Sequence, residues 1–146
     1  MGMKKMLTLN ATDVRKEWGG FIDSIIREKP KLIKRSRDYI FTSSLDVLKE
    51  LLKAYTFTAE LFREDDGSVT ASLAEFDIVV NGSNEEEALK LLATDLVEYA
   101  QDFYNEFQYW HSAPNRRGHL PYVLNVLIQD DLDGVKEIIK CQLGKN

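Results

Sequence analysis

The stretch FTAELFREDDGSVTASL, residues 57–73, decides the architecture of the larger part of the chain. Phe57, Ala59 and Leu61 alternate with Thr58 and Glu60, and Val69, Ala71 and Leu73 alternate with Thr70 and Ser72. A period of two sends the apolar members to one face of a strand and the polar members to the other. Between the runs, Glu64-Asp65-Asp66-Gly67-Ser68 has turn composition, so the segment predicts an antiparallel hairpin. Downstream, Asp77 to Val80 reads as a third strand ending at Asn81-Gly82. Ser83-x-x-Glu86 has the spacing of a capping box, and Ala88, Leu92, Leu96, Tyr99 and Phe103 then recur on one helical face. That helix is expected to run to about Phe107 and to be closed by Tyr109-Trp110.

Working back toward the N-terminus, Met6 to Leu9 predicts a short strand and Asn10 offers an N-cap oxygen, with Asp13 in the first turn. Val14, Trp18, Phe21, Ile22, Ile25 and Ile26 lie on one face of a helix running to about Glu28, ended by Pro30. Gly19-Gly20 weakens it by roughly 1 kcal/mol per glycine. Lys31 to Ser36 and Tyr39 to Ser43 read as two short strands joined at Arg37-Asp38. Ser43 or Ser44 caps a helix carrying Leu45, Leu48 and Leu52. A β-α-β-β-α unit of this size buries too little surface to be comfortable alone, so pairing with a second copy or docking on the rest of the chain is expected.

Working forward, Ser112 to Gly118 reads as a loop. Pro121 opens a short helix holding Val123, Val126 and Leu127. Asp130-Asp131 caps another, with Leu132, Val135, Ile138 and Ile139 inward and Gly144 beyond its end. The expectation is an α+β protein in three parts: residues 1–53, 54–112 and a C-terminal helical extension, 113–146.

Hydrophobic residues make up 44% and charged residues 29% of the chain, the balance of a soluble globular protein. No apolar run approaches the roughly 18 residues of a membrane span, and the start lacks the apolar core of a secretory signal. Met6 stands where a myristoylation signal wants Ser or Thr. The expected location is the cytoplasm. Cys141 is the single cysteine, which excludes an internal disulfide or a thiolate cluster. His111 and His119 lack carboxylates at metal-ligand spacing, and there is no P-loop, Rossmann fingerprint or Gly-x-Ser-x-Gly. The residues make no positive case for an enzyme, a metal or a cofactor.

Charge is distributed unevenly. Residues 1–53 carry 12 Lys/Arg against 7 Asp/Glu, a net +5, whereas residues 54–112 carry 2 against 13, a net −11. A basic head on an acidic body points to an anionic partner at one end. Lys4-Lys5 precedes the first strand, Arg15-Lys16 lies on the first helical turn beside the helix N-terminus, and Lys34-Arg35 with Arg37 lies at the hairpin. Phosphates are attracted by such side chains and by free N–H groups at a helix start. Solvated surface charge explains the clusters equally well on spacing alone.

Thr8-Leu-Asn-Ala-Thr-Asp-Val-Arg15, the helix after it, Pro30-x-Leu-Ile-x-Arg35 and Ser44-Leu-Asp-Val-Leu-Lys-Glu-Leu-Leu52 resemble the DNA-binding module of Phd/YefM antitoxins. The resemblance implies a dimer whose paired arginines reach operator DNA. Those positions fall on Arg15 and Arg35, with Lys16, Lys34 and Lys5 as further candidates. The family's hairpin glycine is missing, with Arg37-Asp38 in its place. Residues 57–107 resemble a HicB-type antitoxin domain through the aromatic first strand, the Asp66-Gly67 turn and Asn81-Gly-Ser-Asn-Glu-Glu-Glu-Ala-Leu89. This sequence has Ala74-Glu-Phe-Asp77 where that family has a Pro-Asp-Leu-Pro-Gly-like segment. That second resemblance implies a three-stranded antiparallel sheet with one long helix, no nuclease activity, and a small toxin ribonuclease as partner. Together the two imply a homodimeric or higher-order repressor-like antitoxin that binds operator DNA and a toxin of RelE or HicA type. The rivals are a protein-binding dimerisation module without DNA affinity and, behind it, a nucleic-acid-processing enzyme.

Overall fold

The computed structural model describes residues 8–144, and the chain divides into two compact units, Met1–Leu51 and Leu52–Asn146. In the first unit, strand β1 (Thr8–Asn10) leads into helix α1 (Ala11–Lys16), helix α2 (Trp18–Arg27), strands β2 (Lys31–Arg35) and β3 (Asp38–Thr42), and helix α3 (Leu45–Leu52). The sheet order is β1-β2-β3, with β1 parallel to β2 and β3 antiparallel to it. Met6 and Leu7, expected in the first strand, lie outside the described residues. Asn10 caps α1 as expected, its Oδ1 accepting from the Thr12 amide at 2.8 Å. The single helix expected over residues 11–28 is broken at Glu17, whose backbone (φ −111°, ψ 41°) leaves helical space. The hairpin reverses at Ser36-Arg37 rather than at Arg37-Asp38, because Asp38 already pairs with Arg35. Ser36 takes φ +55°, a left-handed conformation that suits glycine. Ser44 Oγ accepts from the Val47 amide and caps α3. The buried core of this unit is small: Val14, Phe21, Ile25 and Ile33.

The second unit is built on the expected hairpin, β4 (Phe57–Arg63) and β5 (Val69–Leu73), followed by a 3₁₀ turn (Ala74–Phe76) and β6 (Ile78–Gly82). Helix α4 (Glu85–Asn105) lies on the apolar face of the sheet, and Ala88, Leu92, Leu96 and Phe103 are almost fully buried beneath it. Its cap is one residue later than the sequence spacing suggested. Asn84 Oδ1 accepts from the Glu87 amide at 2.8 Å, while the Glu87 carboxylate accepts from the Ser83 amide at 3.2 Å. Gly82 closes the sheet-to-helix turn, since a Cβ there would stand 2.5 Å from the Ala88 nitrogen.

Helix α4 ends at a second backbone break, Glu106, and continues as α5 (Phe107–Ser112). A 3₁₀ turn (Arg117–His119) at the end of the expected loop leads into α6 (Leu120–Leu127) and α7 (Leu132–Glu137). The chain then does what its sequence did not announce. Ile139–Leu143, read above as the end of a helix, is strand β7, parallel to β4 with Ile139 beside Phe57 and Leu143 beside Leu61. The sheet is therefore four-stranded and mixed, order β6-β5-β4-β7, rather than three-stranded and antiparallel. Helices α6 and α7 supply the crossover that a parallel strand requires. The open edge of β4 accepts the last strand, and Ile139 joins the core. Cys141 lies exposed on β7.

Candidate nucleic-acid interface and the acidic unit

The basic residues of the first unit are placed by its sheet topology. Because β1 and β2 run parallel with Asn10 beside Lys34, both strands finish at the same end of the sheet. Helix α1 starts there directly after Asn10, while β2 runs out through Lys34 and Arg35 into the hairpin turn. Arg15, Lys16, Lys34, Arg35 and Arg37 are all exposed. Among the described residues none of the five takes part in an ion pair. The Lys34 ammonium stands over the Tyr39 ring, 5.8 Å from its centroid. One correction concerns mechanism. Helix α1 is only six residues long, so Arg15 and Lys16 occupy its last turn, not its first. There they complement the negative end of the helix dipole. Lys5 lies outside the described residues.

Beside these cations the unit leaves apolar surface uncovered. Trp18 and Ile26 on α2 are 57% and 63% exposed, and Ile40 and Phe41 on β3 are both 52% exposed. Together with Ile22 and Leu48 they line an open groove of about 800 Å³. The sequence reading put Trp18 and Ile26 inward with the rest of their helical stripe. A stripe of that width is more than one short sheet covers, and this was the available signal. Ile40 and Phe41 went unnoticed because β3 lacks alternation.

The second unit carries 8 Lys/Arg against 17 Asp/Glu, a net −9. Its chain reversal after β5 is pinned by an aromatic and ionic cluster. Asp77 adopts φ +55° and its carboxylate accepts from Arg116 at 2.8 Å. The Arg116 guanidinium also lies 5.7 Å from the Tyr99 ring centroid and 5.8 Å from that of Trp110. The Tyr99 hydroxyl and His119 Nδ1 are 2.7 Å apart, and the His119 ring packs 4.3 Å from Phe76. Burial, reinforced by the nearby Arg116 charge, lowers the pKa of His119 from its ordinary value. Burial likewise raises that of the Tyr99 hydroxyl. These shifts belong to a packed joint, not to an acid–base pair facing a substrate. Partial desolvation and the neighbouring Glu85 raise the Cys141 thiol, which disfavours the nucleophilic thiolate. Among the described residues no group of three His, Cys, Asp or Glu side chains is arranged to hold a metal ion. Nor is any of their helices long and apolar enough to cross a membrane.

Comparison with known proteins places this arrangement. No curated protein matches the chain. A crystal structure from Syntrophomonas wolfei subsp. wolfei, described as the antitoxin part of a toxin/antitoxin system, is 41% identical in sequence. The match covers 95% of this chain and 100% of that one, with a TM-score of 0.91. The family model for Phd-like antitoxins of RelE/RelB toxin–antitoxin systems matches residues 3–141. An antitoxin family implies a toxin protein as partner and a regulatory rather than an enzymatic role. With nearly its whole length matched, the chain belongs to the Phd-like family of toxin–antitoxin antitoxins.

Proposed function

We propose that the chain acts as a homodimeric, repressor-like antitoxin: the first unit binds operator DNA and the acidic second unit holds a small toxin ribonuclease of RelE or HicA type. The observation that carries the DNA half is the set of exposed cations, Arg15, Lys16, Lys34 and Arg35, none of them neutralised by an ion pair among the described residues. Guanidinium and ammonium groups outside ion pairs displace counterions from a duplex without first giving up a carboxylate partner. Lys5 is carried in the proposal as a further DNA contact. The dimer half rests on the groove between α2 and β3. Apolar surface of this extent on a unit with four buried core residues is covered most economically by its own copy. Two copies would double the cations presented to DNA. The net −9 of the second unit favours a basic partner and speeds encounter with it.

The test is a gel-shift titration of the full chain on the DNA upstream of its own gene. Arg15→Ala combined with Arg35→Ala is expected to weaken binding by about tenfold or more, with a shallower dependence on salt. Unfolding should be unchanged, since both side chains are exposed. Wild-type binding by the double variant would remove these residues from the interface. Absence of any binding by the wild type would favour a module that only dimerises and binds protein.

A further inference from the structure

The end of α4 and the whole of α5 carry aromatic rings that the core of the second unit does not use. Phe103 and Trp110 pack inward, stacked 6.3 Å apart. Tyr104 and Tyr109 are 62% and 70% exposed, and Phe107 is exposed as well, its ring stacked 4.8 Å from that of His111. On the same short helix Trp110 Nε1 and His111 Nδ1 are shut off from solvent with no hydrogen-bond partner among the described residues. Helix α5 thus keeps unused polar capacity beside its exposed rings. The charge around them has one sign. From residue 91 to residue 115 the chain contains Asp95, Glu98, Asp102 and Glu106 and no lysine or arginine. Spacings of three and four residues set these acids along one side of α4. All are exposed, and none is in an ion pair among the described residues. The flanking cations are engaged elsewhere: Arg116 with Asp77, and Arg117 through Nε with the His111 carbonyl at 3.1 Å. Lys90 falls off this line of the helix.

We infer that this aromatic surface is where the second unit docks its toxin, through a segment of the toxin that carries arginine and apolar side chains. Exposed aromatic area is the feature that marks a contact site, since tyrosine and phenylalanine rings offer large, rigid surface at small entropic cost. The surrounding charge selects the occupant. Four carboxylates without a compensating cation repel nucleic acid, and a second copy would bring the same four against them. A cationic chain meets complementary potential, and its guanidinium groups can stack on Tyr104, Phe107 and Tyr109 while pairing with Asp102 or Glu106. The unit already holds one arginine in this manner: the Arg116 guanidinium lies over Tyr99 and Trp110 and pairs with Asp77. The inference rests on the antitoxin reading and deepens it by naming the surface and the chemistry of the partner segment.

The probe is the peptide acetyl-Arg-Leu-Ala-Arg-Leu-amide, titrated into the full ¹⁵N-labelled chain at low salt. Saturable amide shifts are expected at Asp102, Tyr104, Glu106, Phe107 and Tyr109, and none with glutamine in place of both arginines. The variant Tyr104→Ser, Tyr109→Ser keeps every charge and should bind about fivefold or more weakly. Equal binding by the variant would overturn the inference, because charge alone would then explain the attraction. Shifts centred on the acids of the 64–66 turn or the start of α4 would also overturn it, and this wild-type map decides even if the variant fails to fold. In sedimentation the variant should keep the wild-type mass. A smaller mass would overturn the inference by placing a second copy on this surface. A further arm uses rescue from growth arrest by the toxin encoded beside this gene. Rescue by the wild type but not by the variant supports the surface, whereas equal rescue overturns it. Absence of rescue by the wild type counts against the antitoxin reading itself, and the peptide map still decides the surface.

Discussion

Two residues show how local chemistry and packing pull against each other. Ser36 holds φ +55° at the tip of the first hairpin, a conformation costing a side-chain-bearing residue about 1–2 kcal/mol. Glycine removes that cost but loses about 0.5–1 kcal/mol in unfolded-chain entropy. Ser36→Gly is therefore expected to stabilise the first unit by about 0.5 kcal/mol, read as a higher urea midpoint with unchanged slope. His119 is legible in sequence only as a histidine without metal spacing. Its burial against Phe76 and its contact with Tyr99 are tertiary facts. Because its folded-state pKa is lowered below 6.5, the unfolded chain takes up the proton first as pH falls. Stability that is complete above the ordinary histidine range is lost as pH drops through it. In His119→Gln the decline in melting temperature between about pH 7 and 5 should be shallower. An unchanged profile would show that other groups set the acid sensitivity.

Among the elements, β7 separates what a local pattern specifies from what a sheet edge selects. Ile138, Ile139 and Leu143 fit the tail of an amphipathic helix as readily as a short strand, since five residues contain too few periods to choose between 3.6 and 2. The edge of β4 makes the choice, supplying hydrogen bonds along Phe57–Leu61 and a core slot for Ile139. Ile139→Ala should cost the second unit about 2–4 kcal/mol. Unfolding followed by fluorescence in a Trp18→Phe background isolates this effect, because Trp110 then reports on the second unit alone. A cost below 1 kcal/mol would mean that β7 is an ornament on a self-sufficient three-stranded sheet. The hairpin 57–73 and the body of helix α4 were legible, because each runs long enough to fix its period. The break at Glu106 was not, since no glycine or proline stands near it, and the one at Glu17 was signalled only by the weak Gly19-Gly20 pair that follows it.

At the scale of the whole molecule, a first unit with a four-residue core and a wide apolar groove is expected to self-associate. Phe41→Ser combined with Ile26→Ser should shift the mass of the full chain in sedimentation from dimer toward monomer. Retention of the dimer by this variant would place the interface elsewhere. Loss of operator affinity alongside the dimer would tie the two activities of the first unit together. Composition and patterning were enough, by themselves, to determine two α+β segments of opposite charge, a three-stranded meander under one long helix, and a basic head. These follow from periodicity and charge, which are properties of neighbouring residues. Only the tertiary structure decided that the C-terminal segment completes the larger sheet, that Arg15 sits at the end of a truncated helix, and that Trp18, Ile26, Ile40 and Phe41 face outward. Each of those outcomes depends on which surfaces remain open after the local elements have formed, and residues far apart in the chain settle that together.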